Sequence, residues 1–312
     1  MYPVLFELGN FPLRSFGVMV AIAFLVGAHI WGKLMGRYGQ NPLEDPDRVA
    51  KVTMAVLVGV LAGGRLFYVI VEILRYLASG NEASVGASYL ADPLSIFFIW
   101  QGGLVMYGGF IGAIVLGMRS AKKHELHPFN ALDTALVAGF FGQAIGRVGC
   151  LLVGDDYGSV VPEAYRDLPF PIVLQVPSLE WLQANPESLF PSSLAGEHLW
   201  ATQPWMTINA LVIGFVSLWM LRRRRYMGQV SLIIFVHYAI TRFVIESFRG
   251  DEIRGVWFEG LFESLSITWI PGLSTSQLIS LVGGTAALVL LVRLRGVREP
   301  VPGSPISADD AL

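Results

Sequence analysis

Long apolar segments recur along the chain, and clusters of polar and charged residues separate them. Seven of these segments approach the roughly 20 residues that an α-helix needs to cross the hydrocarbon core of a bilayer. They are Phe16–Leu34, Lys51–Leu74, Gly103–Met118, Leu132–Gly154, Thr207–Leu221, Val230–Phe248 and Gln277–Leu294. The pattern therefore predicts an all-α membrane protein with seven transmembrane helices.

The composition supports this fold class. Of the 312 residues, 54% are hydrophobic and only 15% are charged, which is too little charge to cover a water-soluble globule of this size. The net charge of −2 gives no basic surplus, so nucleic acid is not an expected partner. The single cysteine, Cys150, excludes an internal disulfide, and the five histidines show no metal-binding spacing. We expect no metal or organic cofactor.

The positive charges are divided unequally between the two ends of the predicted helices. Only Arg14, Arg75, Arg166 and Arg254 fall on one side. The other side holds Lys33, Arg37, Arg48, Lys51, Arg119, Lys122, Lys123, Arg222, Arg223, Arg224, Arg225, Arg293, Arg295 and Arg298. Because short cytoplasmic loops hold the excess of Lys and Arg, we expect a periplasmic N-terminus and a cytoplasmic C-terminus. The chain start lacks the basic region of a signal peptide, so we expect an uncleaved first helix.

The segments between the helices have predicted structures of their own. Pro93–Trp100 is aromatic, and we expect it to lie at the membrane interface. Residues 155–206 are long for a loop and predict a periplasmic cap with a short helix near Ser178–Ala184. Residues 299–312 are expected to be a disordered cytoplasmic tail. Residues 1–298 would then form one transmembrane domain.

Four arginines lie within or at the end of the predicted helices, namely Arg65, Arg147, Arg242 and Arg249. An arginine in hydrocarbon costs about 2.5–3.5 kcal/mol on insertion scales, and it normally faces the protein interior or a polar cavity. All four come late in helices that run outward. We therefore expect them at one depth, around a single polar cavity that opens to the periplasmic side.

The sixth predicted helix carries Tyr238, Arg242, Glu246 and Arg249 at spacings that place them on one face. A buried ion pair between Arg242 and Glu246 that fixes the helix register is the simpler interpretation. The other arginines at the same depth favour a binding site, because the positive charge exceeds that of one carboxylate. Guanidinium groups bind phosphate oxygens well, so a phospholipid headgroup is the expected ligand.

Small residues next to these polar positions have two interpretations. Glycine pairs occur at 63–64, 102–103 and 108–109. Such spacing more often reflects helix packing in membranes, and close approach of a ligand to the backbone is the alternative. Cys150 is interpreted as a small buried hydrophobic residue and not as a nucleophile.

Six segments, in order, resemble the prolipoprotein diacylglyceryl transferase family. They are PVLFELGNFPLRSFG at the start, GGRLFYV from Gly63, WQGGLVMYGGFIG from Trp100, GRVGCLLVGDDYG from Gly146, TQPW from Thr202 and YAITRFVIESFR from Tyr238. The resemblance implies a bacterial inner-membrane enzyme that moves the diacylglyceryl group of phosphatidylglycerol to the lipobox cysteine of prolipoprotein signal peptides. The implied products are a thioether and glycerol phosphate.

The resemblance and the arginine pattern together assign roles to nine residues. Arg147 matches the arginine of the family's G-R-x-G-N motif and would bind the lipid phosphate. The expected substrate-binding residues are Arg147, Arg65, Tyr238, Gly158 and Arg249. The expected catalytic residues are Tyr107, Arg242, Glu246 and Asp155.

The chain departs from the common family pattern at four positions and is interpreted as a variant branch. Tyr107 replaces a histidine, Cys150 an asparagine, Asp155 a glutamate and Phe16 a tyrosine. The base that ionises the thiol is therefore open among four residues, namely Asp155, Glu246, Tyr107 and Tyr238. A non-catalytic relative that binds phospholipid or lipoprotein precursors is the alternative function. A carrier for a small anion is less favoured, because the inner halves of the helices hold few polar residues.

Overall fold

The computed structural model describes residues 1–8, 11–81, 83–98, 102–250, 256–257 and 273–303. The chain divides into two compact units. The first unit comprises Met1–Trp31 and Asp133–Leu312, and the second comprises Gly32–Leu132. Of the features predicted above, Arg254, Trp100 and the tail residues 304–312 lie outside the described residues.

The described residues form nine α-helices. These are α1 (Ser15–Tyr38), α2 (Asp45–Ser79), α3 (Val85–Ala91), α4 (Met106–Lys123), α5 (Pro128–Val153), α6 (Leu179–Ala184), α7 (Thr202–Leu221), α8 (Gln229–Glu246) and α9 (Thr275–Arg293). Six of them, α1, α2, α5, α7, α8 and α9, are long and apolar enough to cross a membrane. The prediction of an all-α, multi-pass membrane protein is confirmed.

The third predicted span corresponds to α4, which differs from the other six helices. It is 18 residues long and ends in a basic turn with Lys122 and Lys123. Together with Arg119, these charges make it less apolar than the six spans above. A count of seven spans, and the orientation that depends on an odd number, stay predictions.

Several helices begin earlier than their apolar runs indicated, and the difference is largest for α2 and α7. α2 begins at Asp45 instead of Lys51, with a proline in its first turn, a position where the missing N–H costs nothing. α7 begins at Thr202 instead of Thr207. Its first polar residues are fully buried, because their side chains bond to a neighbouring loop.

Short strands form three antiparallel pairs that the hydrophobic pattern did not predict. The pairs are β1 (Val4–Leu8) with β2 (Phe11–Arg14), β3 (Val173–Gln175) with β4 (His198–Trp200), and β5 (Val256–Trp257) with β6 (Leu273–Ser274). In the second pair Leu174 lies opposite Leu199. Among the described residues each pair is a two-stranded sheet, and an isolated bridge joins Val160 to Leu199 of the second pair.

The loop between α5 and α7 has a small core of its own. Tyr157, Val176, Leu182, Phe190 and Leu199 are buried against one another. The predicted short helix is confirmed as α6, whose N-cap Ser178 accepts a hydrogen bond from the backbone N–H of Trp181 at 3.3 Å. The loop is therefore a folded element and not an extended linker.

Near the start of α5, Asp133 and Arg224 form a buried ion pair in the first unit. Their side chains are 0% exposed, and Arg224 Nη1 lies 3.1 Å from Asp133 Oδ2. The carboxylate also accepts hydrogen bonds from the backbone N–H groups of Gly228 and Ser231 and from the Ser231 hydroxyl. Arg224 Nη2 donates to the carbonyl of Pro302 at 3.3 Å. The first residues of the predicted tail therefore contact the first unit.

In the second unit, glycines bring α2 and α4 into backbone contact. A Cβ atom added at Gly59 would collide with the carbonyl of Gly112, and one added at Gly63 with the carbonyl of Gly108. The reverse additions at Gly108 and Gly112 collide as well. Helix packing, the commoner of the two interpretations offered above, therefore explains these glycines.

Candidate functional site

A chain of alternating charges runs through the first unit. Arg147 near the end of α5 pairs with Asp156, and Asp156 also pairs with Arg249, where Nη2 and Oδ1 are 2.6 Å apart. Arg249 Nη1 lies 3.7 Å from Glu246 Oε2, and Arg242 Nη2 lies 2.8 Å from the same oxygen. Three of the four predicted arginines thus belong to one network.

Asp156 is the residue that sequence reasoning did not single out, although it stands next to Asp155. Its two carboxylate oxygens accept from two different guanidinium groups, Oδ2 from Arg147 and Oδ1 from Arg249. Glu246 is the carboxylate expected within the helices, and Asp156 adds a second one from the turn beyond α5. Within the described residues the ion pairs join three guanidinium groups and two carboxylates, and Asp155 interacts electrostatically with Arg249 and Arg147 as well.

The turn that carries both aspartates is fixed by the start of α7. Thr202 Oγ1 donates to the carbonyl of Asp156 at 2.7 Å, and Gln203 Nε2 donates to the carbonyl of Asp155 at 2.9 Å. Asp156 has φ of 54°, in the left-handed region where aspartate is tolerated better than most residues. This geometry explains why the polar residues of the TQPW segment are buried.

Backbone pairing places Arg249 beside the same loop. Gly158 forms an antiparallel bridge with Arg249, Ser159 N donates to the carbonyl of Phe248 at 2.8 Å, and Gly250 N donates to the carbonyl of Tyr157 at 3.1 Å. A Cβ atom at Gly158 would collide with the backbone of Trp200. Gly158 therefore permits the close approach of Trp200, and a Cβ atom at Gly250 would in turn collide with the carbonyl of Gly158 beside Arg249.

The predicted placement of Arg249 on a helix face was wrong. α8 ends at Glu246, and Arg249 lies beyond it in the bridged segment. Its side chain nevertheless reaches Glu246, because the turn after the helix folds back towards the network.

Arg242 and Glu246 occupy successive turns of α8. Arg242 also contacts α7 and α9, since Nη1 lies 3.5 Å from the sulfur of Met206 and Nη2 lies 3.3 Å from the hydroxyl of Ser276. Both charged residues are buried. Glu246 therefore faces two guanidinium groups, Arg242 at 2.8 Å and Arg249 at 3.7 Å.

The two adjacent aspartates have opposite pKa shifts. Burial raises the pKa of Asp155, and the neighbouring negative charge of Asp156 raises it further. Burial also acts to raise the pKa of Asp156, but the charges of Arg147 and Arg249 outweigh this effect, so the pKa lies below its usual value. Of the pair, Asp156 holds its charge more firmly and Asp155 takes up a proton more readily.

Tyr238 of α8 and Cys150 of α5 lie on the helices that carry the network. The ring of Tyr238 packs edge-on against Phe140 of α5, with ring centroids 5.6 Å apart. Cys150 is buried, and its backbone carbonyl accepts from the N–H groups of Gly154 and Asp155. The carbonyl of Cys150 thus caps α5 and begins the turn that holds the aspartates.

Arg65 and Tyr107 belong to the second unit, Gly32–Leu132. Arg65 donates to the carbonyls of Ser95, Ile96 and Gly102 at 2.9, 2.7 and 2.6 Å. Its guanidinium also lies over the rings of two tyrosines, Tyr68 and Tyr89. Arg65 therefore holds the 3₁₀ segment Pro93–Phe97 and the loop after it against α2.

Tyr107 is the second residue of α4. Two glycines of positive φ, Gly102 and Gly103, precede the helix.

The same segments identify the family. The sequence profile described as Prolipoprotein diacylglyceryl transferase matches residues 3–293. The chain belongs to this family. Three relatives named phosphatidylglycerol–prolipoprotein diacylglyceryl transferase come from Geobacter sulfurreducens, Enterobacter sp. and Pasteurella multocida. They are 28%, 25% and 26% identical and cover 89%, 93% and 91% of this chain and 95%, 92% and 93% of their own length.

Membership of the prolipoprotein diacylglyceryl transferase family confirms the resemblance inferred from the sequence. Several motif segments meet in the charge network, since GRVGCLLVGDDYG supplies Arg147 and Asp156, TQPW supplies Thr202 and Gln203, and YAITRFVIESFR supplies Arg242 to Arg249. The residues missed in the sequence, Asp156 and the two bonding residues of α7, all lie inside those segments. Their position within the motifs was the signal that could have found them.

Proposed function

We propose that the protein transfers the diacylglyceryl group of phosphatidylglycerol to the lipobox cysteine thiol of prolipoproteins in the bacterial inner membrane. Glycerol phosphate leaves and a thioether remains on the cysteine. The family match over residues 3–293 supports this reaction. The observation that carries the proposal is the network of Arg147, Arg249 and Arg242, because it offers guanidinium donors to a phosphate in a membrane protein.

The reaction needs stabilisation of a leaving phosphate. The thiolate attacks a glyceryl carbon, the carbon–oxygen bond breaks, and the electron pair goes to the phosphate oxygen. Arg147 would bind that phosphate together with Arg249, since negative charge grows there as the bond breaks. The guanidinium groups that meet at the shared carboxylate of Asp156 suit this task.

The thiol proton needs an acceptor, and Asp155 fits this role best of the four candidates. Its pKa is raised by burial and by Asp156, which makes it a stronger base than an ordinary aspartate. Glu246 is tied to Arg242 at 2.8 Å and to Arg249 at 3.7 Å, a geometry that suits a positioning role. The proposal therefore assigns Asp155 as base and Glu246 as the residue that orients Arg242.

The remaining assignments follow from the family. Tyr107, Arg65, Tyr238 and Gly158 are kept as candidates for substrate contact. The proposal also places the N-terminus and the loop 155–206 on the periplasmic side, where lipoprotein precursors emerge. The positive residues of the opposite loops support this orientation.

The test uses purified full-length protein, phosphatidylglycerol and a lipobox peptide, with the thioether product detected by mass spectrometry. We expect Arg147→Gln to lower the transfer rate about 10²–10³-fold, the usual cost of losing one donor to developing charge. Arg166→Gln is the matched control, because Arg166 lies in the loop that follows α5 and its side chain is 43% exposed. Absence of product from the wild-type protein, or normal turnover in Arg147→Gln, would refute the proposal.

The departures at Tyr107 and Cys150 favour one alternative, a relative that binds phospholipid or lipoprotein precursors without transfer. Expression in cells depleted of their own transferase separates the two functions. Restored growth with modified lipoproteins supports the enzyme. Tight phosphatidylglycerol binding without restored growth supports the binding protein.

A further inference from the structure

The carboxylate of Asp156 lies between two guanidinium groups, in the position that a bound anion would take. Arg147 Nη1 donates to Oδ2, and Arg249 Nη2 donates to Oδ1 at 2.6 Å. Carboxylate and phosphate oxygens are recognised by guanidinium groups through the same geometry. We propose that Asp156 is an internal counter-ion, which competes with the substrate phosphate for Arg147 and Arg249.

The need for such a counter-ion follows from the burial of the arginines. Arg147 and Arg249 are each only 9% exposed. Two like charges that share one anion repel strongly where the effective dielectric constant is low. The carboxylate offsets this repulsion while the substrate is absent, and it keeps both guanidinium groups directed at one point. A phosphate then meets a site that is already arranged.

The structure also allows the carboxylate to leave. The Asp156 side chain is 21% exposed, about twice the value for the Arg147 and Arg249 side chains. Its backbone is held separately, through the bond from Thr202 Oγ1 to the Asp156 carbonyl. Rotation of the side chain towards solvent would therefore release the arginines without moving the turn.

The exchange conserves charge when the substrate binds. A phosphodiester carries one negative charge, as does the ionised carboxylate that it replaces. The released monoester carries about −1.5 to −2 at neutral pH, so it would be held more tightly than the substrate by the same arginines. The returning carboxylate competes with this product and speeds its release. Asp156 is thus a positioning residue that limits phosphate affinity at both stages.

This inference rests on the proposed function for the identity of the anion, and its test measures binding directly. The full-length protein is titrated with inorganic phosphate, and in a second arm with phosphatidylglycerol in nanodiscs of neutral lipid. We expect Asp156→Asn to lower the dissociation constant about three- to tenfold in both arms, the effect of one charge about 4 Å away screened by water. It should lower KM in the transfer assay without raising kcat.

Two control variants isolate the charge at this position. Asp167→Asn removes the same charge from an exposed position of the loop and should leave both affinities unchanged. Asp156→Glu keeps the charge and should not bind phosphate more tightly than the wild type. A gain in affinity that is confined to Asp156→Asn supports the counter-ion role.

Other outcomes are equally decisive. Equal or weaker phosphate binding in Asp156→Asn overturns the inference and indicates a purely structural tie. If Asp156→Asn melts at a temperature below that of the wild type, recovery of the wild-type melting temperature on addition of phosphate supports the inference, and no recovery contradicts it. If Asp156→Asn binds phosphate more tightly but the wild-type protein transfers no diacylglyceryl group, only the proposed function is refuted. If the wild-type protein transfers the group normally but Asp156→Asn gains no phosphate affinity, only the counter-ion role of Asp156 is refuted.

Discussion

The two ends of α5 carry charge in different ways. Asp133, near its start, pairs with a single arginine, and both side chains are fully buried. Arg147, about 21 Å further along the helix at 1.5 Å per residue, belongs to a network in which each carboxylate faces two arginines. In the first pair one carboxylate serves one arginine, whereas in the second group the carboxylates are shared between arginines.

This difference distinguishes an ion pair that supports the fold from charges that can bind a ligand. The Asp133 carboxylate accepts four hydrogen bonds or ion-pair contacts from its surroundings, so an added ligand would gain nothing there. The Arg147 network is partly exposed at Asp156, and an internal carboxylate occupies the place of an anion. Burial of charge alone therefore does not identify a functional site, but arginines that share one partly exposed carboxylate do indicate one.

The largest effect on stability is expected at Asp133. Asp133→Asn leaves Arg224 as a buried cation without its counter-ion, and breaking a buried pair in this way costs about 3–5 kcal/mol. The free energy of unfolding in detergent measures the loss, while the transfer rate of the folded fraction should stay unchanged. Glu197→Gln is the control, since its pair with Arg166 is 3.8 Å long and exposed and is worth about 0–1 kcal/mol. Equal losses in both variants would contradict the comparison.

A smaller loss of stability, with a clear loss of activity, is expected at Arg242. In Arg242→Gln the Glu246 carboxylate still has Arg249 at 3.7 Å, so the charge is not stranded as it is at Arg224. We expect a loss of less than half that of Asp133→Asn, together with a transfer rate at least about tenfold lower because a cation of the site is gone. Thermal unfolding and the peptide assay measure the two effects. A stability loss equal to that of Asp133→Asn would show that the two regions do not differ in this respect.

The smallest expected effect is a pH dependence at Asp155. Its folded pKa is raised, so between the unfolded value and the raised value the folded state binds more protons, and stability falls as pH rises through this window. Asp156 has a lowered pKa and acts in the opposite direction, losing its stabilising effect only in more acidic solution. The melting temperature of Asp155→Asn minus that of the wild type should therefore increase from pH 4 to pH 8. A difference independent of pH would contradict the assigned shift.

The sequence predicted most of the helices because hydrocarbon imposes a long apolar run on each span. It failed at the start of α7, where Thr202 and Gln203 are polar yet buried, since their partners are carbonyls of a distant loop. It also missed the hairpin of β1 and β2, although Gly9 and Asn10 between them are residues that favour a tight turn. Strands of four or five residues are too short for a periodic pattern to be distinctive.

The site was predictable in its residues but not in its pairing. Arg147, Arg242 and Glu246 stand out in apolar surroundings, where each charge has a cost that demands a reason. Asp156 lies just beyond the helix, where charge is common and carries no such cost. Only the fold shows that its turn directs the carboxylate back to Arg147 and Arg249.

The glycine contact between α2 and α4 has a consequence for the biogenesis of the second unit. Backbone contact at Gly59, Gly63, Gly108 and Gly112 leaves no space for a lipid chain between the two helices. Because its last turn is basic, α4 gains less free energy on transfer into hydrocarbon than the six apolar spans do. We therefore expect α4 to enter the bilayer as the partner of α2, so that insertion of this helix and assembly of the unit occur as one event.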